Sequence, residues 1–77
     1  MRMTLRAAIV GASGYAGGEL IRLLSGHPDF EVGAITAAKS TGTRLGAIHP
    51  QLWRLRDRVI EVTSVAKLDD SDVIFLA

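Results

Sequence analysis

The residues best suited to chemistry on a ligand lie in Gly11-Ala12-Ser13-Gly14-Tyr15-Ala16-Gly17-Gly18. Gly11, Gly14 and Gly17 recur as G-x-x-G-x-x-G, a spacing variant of the G-x-G-x-x-G pattern that cradles a dinucleotide pyrophosphate. Each glycine has a physical task. Gly11 permits the tight turn off a strand, and Gly14 lets phosphate oxygens reach the backbone with no Cβ in the way. Gly17 lets the following helix pack close to the sheet. The amides of that helix, at Tyr15 and Ala16, face the anion together with the positive end of the helix dipole, and Ser13 adds a hydroxyl donor. The plainer reading is a glycine-rich turn needed only for packing. A strand directly before the motif and a helix directly after it are the context that favours the cradle.

The second diagnostic is an acid about 20 residues after the first glycine, at the carboxyl end of the next strand, where it holds the ribose of NAD. Glu31 has about the right count but stands at the start of that strand, so it reads as an exposed carboxylate there. No carboxylate occurs from Val32 to Arg56, and the strand is followed by Thr36-Ala37-Ala38-Lys39-Ser40-Thr41. A cation and hydroxyls at that point attract a 2′-phosphate, which an acid would repel. Ala38, Lys39 and Ser40, with Arg44 nearby, therefore favour NADP over NAD. The plain alternative for Lys39 is a solvated loop lysine.

Other candidates carry less. His27 reads as a surface residue complementing a helix C-terminus, and His49, before Pro50, as a turn histidine with a ligand contact as the alternative. Asp69, Asp70 and Asp72 have no partner at metal-ligand spacing and read as solvating the start of the last strand; no metal is expected. A single tryptophan, Trp53, is too little aromatic surface for a nucleic-acid stacking platform. With Leu55 it is expected to cover a sheet face or an interface.

The elements that must position these residues follow from hydrophobic pattern. Leu5–Val10 is a short apolar run stopping at glycine, a buried strand. Tyr15–Ser25 has helical spacing at Ala16, Leu20 and Leu24, widened by Ile21 and Leu23, with Glu19 near its positive end and a stop at Gly26 and Pro28. Phe30–Thr36 is a second strand, and residues 37–52 form a loop with one short helical turn. Arg58–Thr63 alternates as a third strand at an edge, Ser64–Leu68 is a helical turn, and Asp72–Ala77 is the last strand. Strand, helix, strand, irregular crossover, strand is the order of an α/β fold, here a partial Rossmann-type parallel sheet with a βαβ dinucleotide-binding unit. The closing run resembles a buried strand with nothing after it to cover it, so residues 1–77 are expected to be the N-terminal part of a longer NADP-binding domain.

Composition sets the outer bounds. Seventy-seven residues, 48% hydrophobic and 22% charged, make at most one small soluble domain. There is no cysteine, hence no disulfide and no thiol nucleophile, which is compatible with a reducing compartment; a cytoplasmic protein is expected. Apolar runs of about five residues are far short of a membrane span, and the basic start Met1-Arg2-Met3 leads into the glycine motif rather than a signal peptide. The net charge of +1 gives no reason to expect nucleic acid. Lys39, Arg44, Arg54, Arg56 and Arg58 against Asp57 nevertheless give residues 39–58 a net +4, either an anion-facing region or a solvated surface.

With GASGYAGGEL, LSGHP, AITAAKS, the segment Gly46-Ala47-Ile48-His49-Pro50-Gln51-Leu52 and the closing DVIFLA, the whole sequence resembles the N-terminal part of the N-acetyl-gamma-glutamyl-phosphate reductases of arginine biosynthesis. The resemblance implies an oxidoreductase that converts an acyl phosphate to an aldehyde with NADPH, through a cysteine thioester and a histidine acid/base. Both catalytic residues lie beyond this segment, so no residue here is catalytic. By the same resemblance, Ser13, Gly14, Tyr15 and Ala16 match the pyrophosphate turn and Ala38, Lys39 and Ser40 the 2′-phosphate stretch. The full-length enzyme is expected to be a homo-oligomer acting on a small acyl phosphate. Alternatives are the reductase of carrier-bound aminoadipyl phosphate in lysine biosynthesis, whose pattern is more basic where this chain has Ala38-Lys39, aspartate-semialdehyde dehydrogenase, and a non-catalytic NADP-binding sensor.

Overall fold

A computed structural model describes residues 4–77; the basic start at residues 1–3 lies outside them. Strand β1 (Leu5–Val10) leads through the glycine turn into helix α1 (Tyr15–Ser25), which returns to strand β2 (Phe30–Thr36). One-turn helices α2 (Leu45–Ile48) and α3 (Val65–Leu68) lie in the crossover to strand β3 (Val73–Leu76). Both flanking strands pair parallel to β1, in the order β2-β1-β3. The expected βαβ unit and parallel sheet are present.

Short, branched and small side chains make β1 the centre of the sheet. Ala7, Ala8 and Ile9 are fully buried, and Ile9 stands between Ile35 of β2 and Phe75 of β3. Helix α1 lays Ile21 and Leu24 on this core, with Leu45, Leu52 and Ile60 closing it from the crossover. Fully burying an isoleucine or leucine contributes roughly 1.5–3 kcal/mol, so these few side chains dominate the core. The helix stripe is turned relative to the expected one. Gly17 and Gly18 are buried instead of Ala16, and Leu23 is exposed, because the first turn packs by close backbone approach and not through side chains.

β2 carries one extra residue against β1, the register moving from Ala7↔Val32 to Ile9↔Ile35. This bulge brings Ile35, not Ala34, into the core after Val32. The Arg58 guanidinium donates to the carbonyls of Val32 and Gly33, which pins the bulge from outside.

The third strand expected over Arg58–Thr63 is not a strand. The segment is extended and does lie along the β2 edge, but it divides its hydrogen bonds between two neighbours. Glu61 N–H donates to Ile35 and Ala37 N–H to Glu61, whereas Ile60 N–H donates to Thr43 and Gly42 N–H to Ile60. Each ladder is therefore one bridge long, Thr36↔Glu61 and Arg44↔Val59. Of the two roles expected for Trp53, the cover of a sheet face is not observed: it sits in a short 3-10 turn, Trp53–Leu55, at 67% exposure, which is compatible with the interface role, and Leu55 alone packs on the core.

The closest backbone approach predicts the largest local cost. A Cβ at Gly17 would collide with the Gly11 carbonyl oxygen and lie 2.8 Å from the Ala12 Cα, both backbone atoms that cannot swing aside. Gly17→Ala should destabilise the chain by about 1–3 kcal/mol, as overpacking does, read as a lower denaturation midpoint in urea. An unchanged midpoint would show that the turn relaxes freely.

Candidate cofactor site

The glycine turn leaves β1 at Gly11, whose φ of +95° lies in the left-handed region that favours glycine. A Cβ there would also lie 2.6 Å from the Ala77 carbonyl oxygen. Two bonds then fasten the turn to the neighbouring strand: the N–H groups of Gly11 and Ala12 both donate to the Thr36 carbonyl, at 2.9 and 3.0 Å. Gly14 N–H donates weakly back to Gly11 at 3.3 Å, and Gly14 then caps α1 in an extended conformation.

This arrangement leaves a row of donors open. Gly18 N–H is the first amide of the helix bonded backward, to Gly14. Among the described residues, the amides of Ser13, Tyr15, Ala16 and Gly17 make no hydrogen bond to protein. No side chain caps the helix and no acid lies in its first turn. Glu19, expected near the positive end, stands beyond that turn. Its carboxylate accepts from Arg22 at 2.8 Å and from the Tyr15 hydroxyl at 3.2 Å, and the Arg22 hydrogen bond, more than its charge, holds the carboxyl below its ordinary pKa. It offers no competition for an anion at the amides.

Gly14, Tyr15 and Ala16 are exposed, Ser13 is half-buried, and a Cβ on Gly14 would meet nothing nearer than the Gly11 carbonyl at 3.8 Å. Open space at Gly14 together with unpartnered amides fits a pyrophosphate. Gly17 does something different from Gly14: it is buried and serves packing against the turn itself.

Ala38, Lys39 and Ser40 are exposed at the carboxyl end of β2, where Val10↔Thr36 pairing sets the loop beside the glycine turn. The Thr41 hydroxyl donates to the Ala37 carbonyl and Thr43 N–H to the Ser40 carbonyl, so the loop is held closed. Ser40 has φ +66°, a left-handed conformation that only glycine adopts without cost. Lys39 makes no ion pair or hydrogen bond among the described residues. Arg44 is 4.0 Å from Asp57. Glu31 sits at the other end of β2 and pairs with Arg6 at 3.1 Å, away from the ligand side.

His27 is exposed at the end of α1, as expected: its N–H donates to the Leu24 carbonyl at 3.1 Å, while its Nδ1 accepts the Asp29 N–H at 3.0 Å and its ring meets Phe30 edge-on. His49 is buried, with Nε2 2.8 Å from the Ala12 carbonyl. Neither this tie nor the fit of Gly18 against the His49 ring is readable from spacing, because 37 residues separate His49 from Ala12. The signal in the sequence is only a second glycine at Gly18, with no task in the motif. No helix among the described residues is long and apolar enough to cross a membrane.

A parallel βαβ unit with open amides at the glycine turn defines a dinucleotide-binding domain. Comparison with known proteins agrees: residues 6–77 match the model of the semialdehyde dehydrogenase NAD-binding domain, and the chain belongs to that family. It is 57% identical over 75 residues to the N-acetyl-gamma-glutamyl-phosphate reductase of Saccharopolyspora erythraea, and 56% to that of Streptomyces coelicolor, covering 97% of this chain. It spans only 22% of either relative. Among solved structures, aspartate semialdehyde dehydrogenase with NADP from Candida albicans is similar at a TM-score of 0.84 and 28% identity, over 96% of this chain and 23% of that one.

Gly14→Val tests the division of labour between glycines. With φ −85°, ψ 171° and open space around it, position 14 accepts a valine in the fold. The denaturation midpoint should therefore hold while NADP affinity, read by calorimetry, falls at least tenfold. Unchanged affinity would leave the glycines with packing alone.

Proposed function

We propose that this chain is the cofactor-binding segment of an NADPH-dependent reductase that converts N-acetyl-glutamyl 5-phosphate to the 5-semialdehyde and phosphate. The observation that carries the cofactor half is the pairing of four unpartnered amides at the glycine turn with an acid-free loop holding an unpartnered lysine. The amides of Ser13, Tyr15, Ala16 and Gly17 would take the pyrophosphate, with the Ser13 hydroxyl beside them, while Gly11 and Gly14 give the turn its path and the phosphate its access. Lys39 and Ser40, with the Ala38 backbone, would take the 2′-phosphate. Bound NADPH supplies the hydride for the reduction.

The substrate half rests on likeness. Relatives 52–57% identical over 75 residues carry the name of the arginine-pathway reductase. Aspartate semialdehyde dehydrogenase is similar at 28% identity, which supports a shared cofactor domain more than a shared substrate. In the proposed chemistry a thiolate displaces phosphate from the acyl group, and the thioester then accepts hydride to give aldehyde and free thiolate. This chain has no cysteine to start that sequence. The full-length enzyme is proposed to be a homo-oligomer of the cytoplasm.

Two measurements check the proposal. Residues 1–77 alone, given NADPH and N-acetyl-glutamyl phosphate, should oxidise no NADPH above a no-protein control; clear turnover would sink the cysteine mechanism. In the full-length enzyme, losing the Lys39 contact should cut the preference for NADPH over NADH by roughly 10- to 100-fold, since a hydrogen bond to a charged group contributes about 1.5–3 kcal/mol. Lys39→Glu should cost more, because it restores an acid near the ribose and repels phosphate. The readout is the ratio of kcat/KM values for the two cofactors at fixed ionic strength. A ratio that moves by less than about twofold would make Lys39 an ordinary surface lysine.

A further inference from the structure

We infer that His49 is a positioning residue for the pyrophosphate cradle, acting through the Ala12 peptide without touching the ligand. The inference rests on the dinucleotide reading of the glycine turn. His49 is only 7% exposed, and its Nε2 lies 2.8 Å from the Ala12 carbonyl oxygen. A carbonyl only accepts, so Nε2 carries the proton and donates.

The consequence follows from peptide planarity. The Ala12 carbonyl and the Ser13 N–H belong to one peptide unit and point in opposite directions across it. Holding the carbonyl toward His49 turns the Ser13 amide the other way, and that amide is one of the four with no protein partner. The preceding amide, Ala12 N–H, is held by Thr36 at 3.0 Å. Ala12 is thus fixed on both sides, and the first donor of the cradle is aimed before any ligand arrives.

His49 is itself firmly placed. Its N–H donates to Leu45 at 2.8 Å and its carbonyl accepts from Leu52 at 3.0 Å. Its ring lies against Gly18, where a Cβ would come 2.5 Å from Cε1 and 2.6 Å from Nδ1. Gly18 therefore makes room for the ring that orients the turn, a use that the G-x-x-G-x-x-G pattern does not itself require. The same histidine links the turn to the crossover after β2, the stretch that also carries Lys39 and Ser40.

The test uses the full-length enzyme containing this segment, with NADP and adenosine 2′-monophosphate as probes. The second probe has the 2′-phosphate and no pyrophosphate. His49→Leu should raise the Kd for NADP about tenfold while leaving that for adenosine 2′-monophosphate within about twofold. His49→Gln, whose amide can donate to Ala12, should bind NADP within about threefold of wild type. Gly18→Ala, which pushes the ring aside without removing it, should reproduce the His49→Leu loss. Equal losses on both probes, an unchanged NADP Kd in His49→Leu, or a glutamine no better than leucine would each overturn the assignment. Should His49→Leu fail to fold, the contrast between His49→Gln and Gly18→Ala on the two probes decides it. A wild-type enzyme that binds adenosine 2′-monophosphate or nothing, but not NADP, would instead overturn the dinucleotide reading itself.

Discussion

The Thr36 carbonyl accepts two successive amides, from Gly11 and Ala12, and the site is built outward from that shared acceptor. A strand that ends in a turn would ordinarily leave these donors to water; here they close onto the end of the neighbouring strand. The residue supplying the acceptor is fully buried, its hydroxyl engaged with the Ile9 carbonyl and the Thr63 hydroxyl. The end of β2 is therefore rigid, and the glycine turn inherits that rigidity. Gly17 completes the constraint, because without a Cβ the helix can start directly over Gly11. With the first two amides committed, the donors left over are those that face outward.

Charge is distributed by the same logic of commitment. Arg6 meets Glu31 and Asp70, and its amide donates to Asp72, so the acids flanking β2 and β3 hold the amino end of the sheet. Glu31 and Asp70 in turn raise the Arg6 pKa above its ordinary value, the Glu31 hydrogen bond foremost. These exposed and half-exposed pairs add little stability, being screened by water; their effect is to fix which end of the sheet carries acid. The basic stretch 39–58 divides likewise. Arg58 holds the bulge, and Arg56 lies 3.9 Å over the Trp53 ring with a bond to its carbonyl. Arg44 approaches Asp57. Among the described residues Lys39 and Arg54 alone of the cations make no such contact, and only Lys39 stands at the end of β2.

Elements with a strong local pattern were readable: the bounds of β1, α1 and β2 follow from apolar runs punctuated by glycine and proline. The readings fail where a long-range partner decides. Alternation in Arg58–Thr63 is real, but its hydrogen bonds are shared between β2 and the loop at 42–45, so no ladder grows. Spacing finds the glycine turn, and the absence of acid finds the Lys39 loop, since both are local. The His49–Ala12 bond spans 37 residues and leaves no periodic trace. The bulge in β2 is equally silent, and the arginine that pins it lies 25 residues from Gly33.

The two loops of the site solve one geometric problem with different residues, and the difference is informative. Each must reverse direction at the end of a parallel strand, and each does so through a left-handed residue, Gly11 in one and Ser40 in the other. Glycine takes that conformation without penalty, whereas a residue with a Cβ bears a cost of order 1–3 kcal/mol unless its surroundings enforce it. At Gly11 the crowding of the Ala77 carbonyl leaves no alternative to glycine. At Ser40 space is available, and the bonds from Thr41 to Ala37 and from Thr43 to Ser40 hold the strained turn. Glycine in place of Ser40 would relieve the backbone and loosen the loop, and would remove a hydroxyl next to the unpartnered Lys39. A serine held at that cost beside an unpartnered cation, at the carboxyl end of a strand whose one acid, Glu31, stands at the opposite end, fits the 2′-phosphate role proposed for this loop.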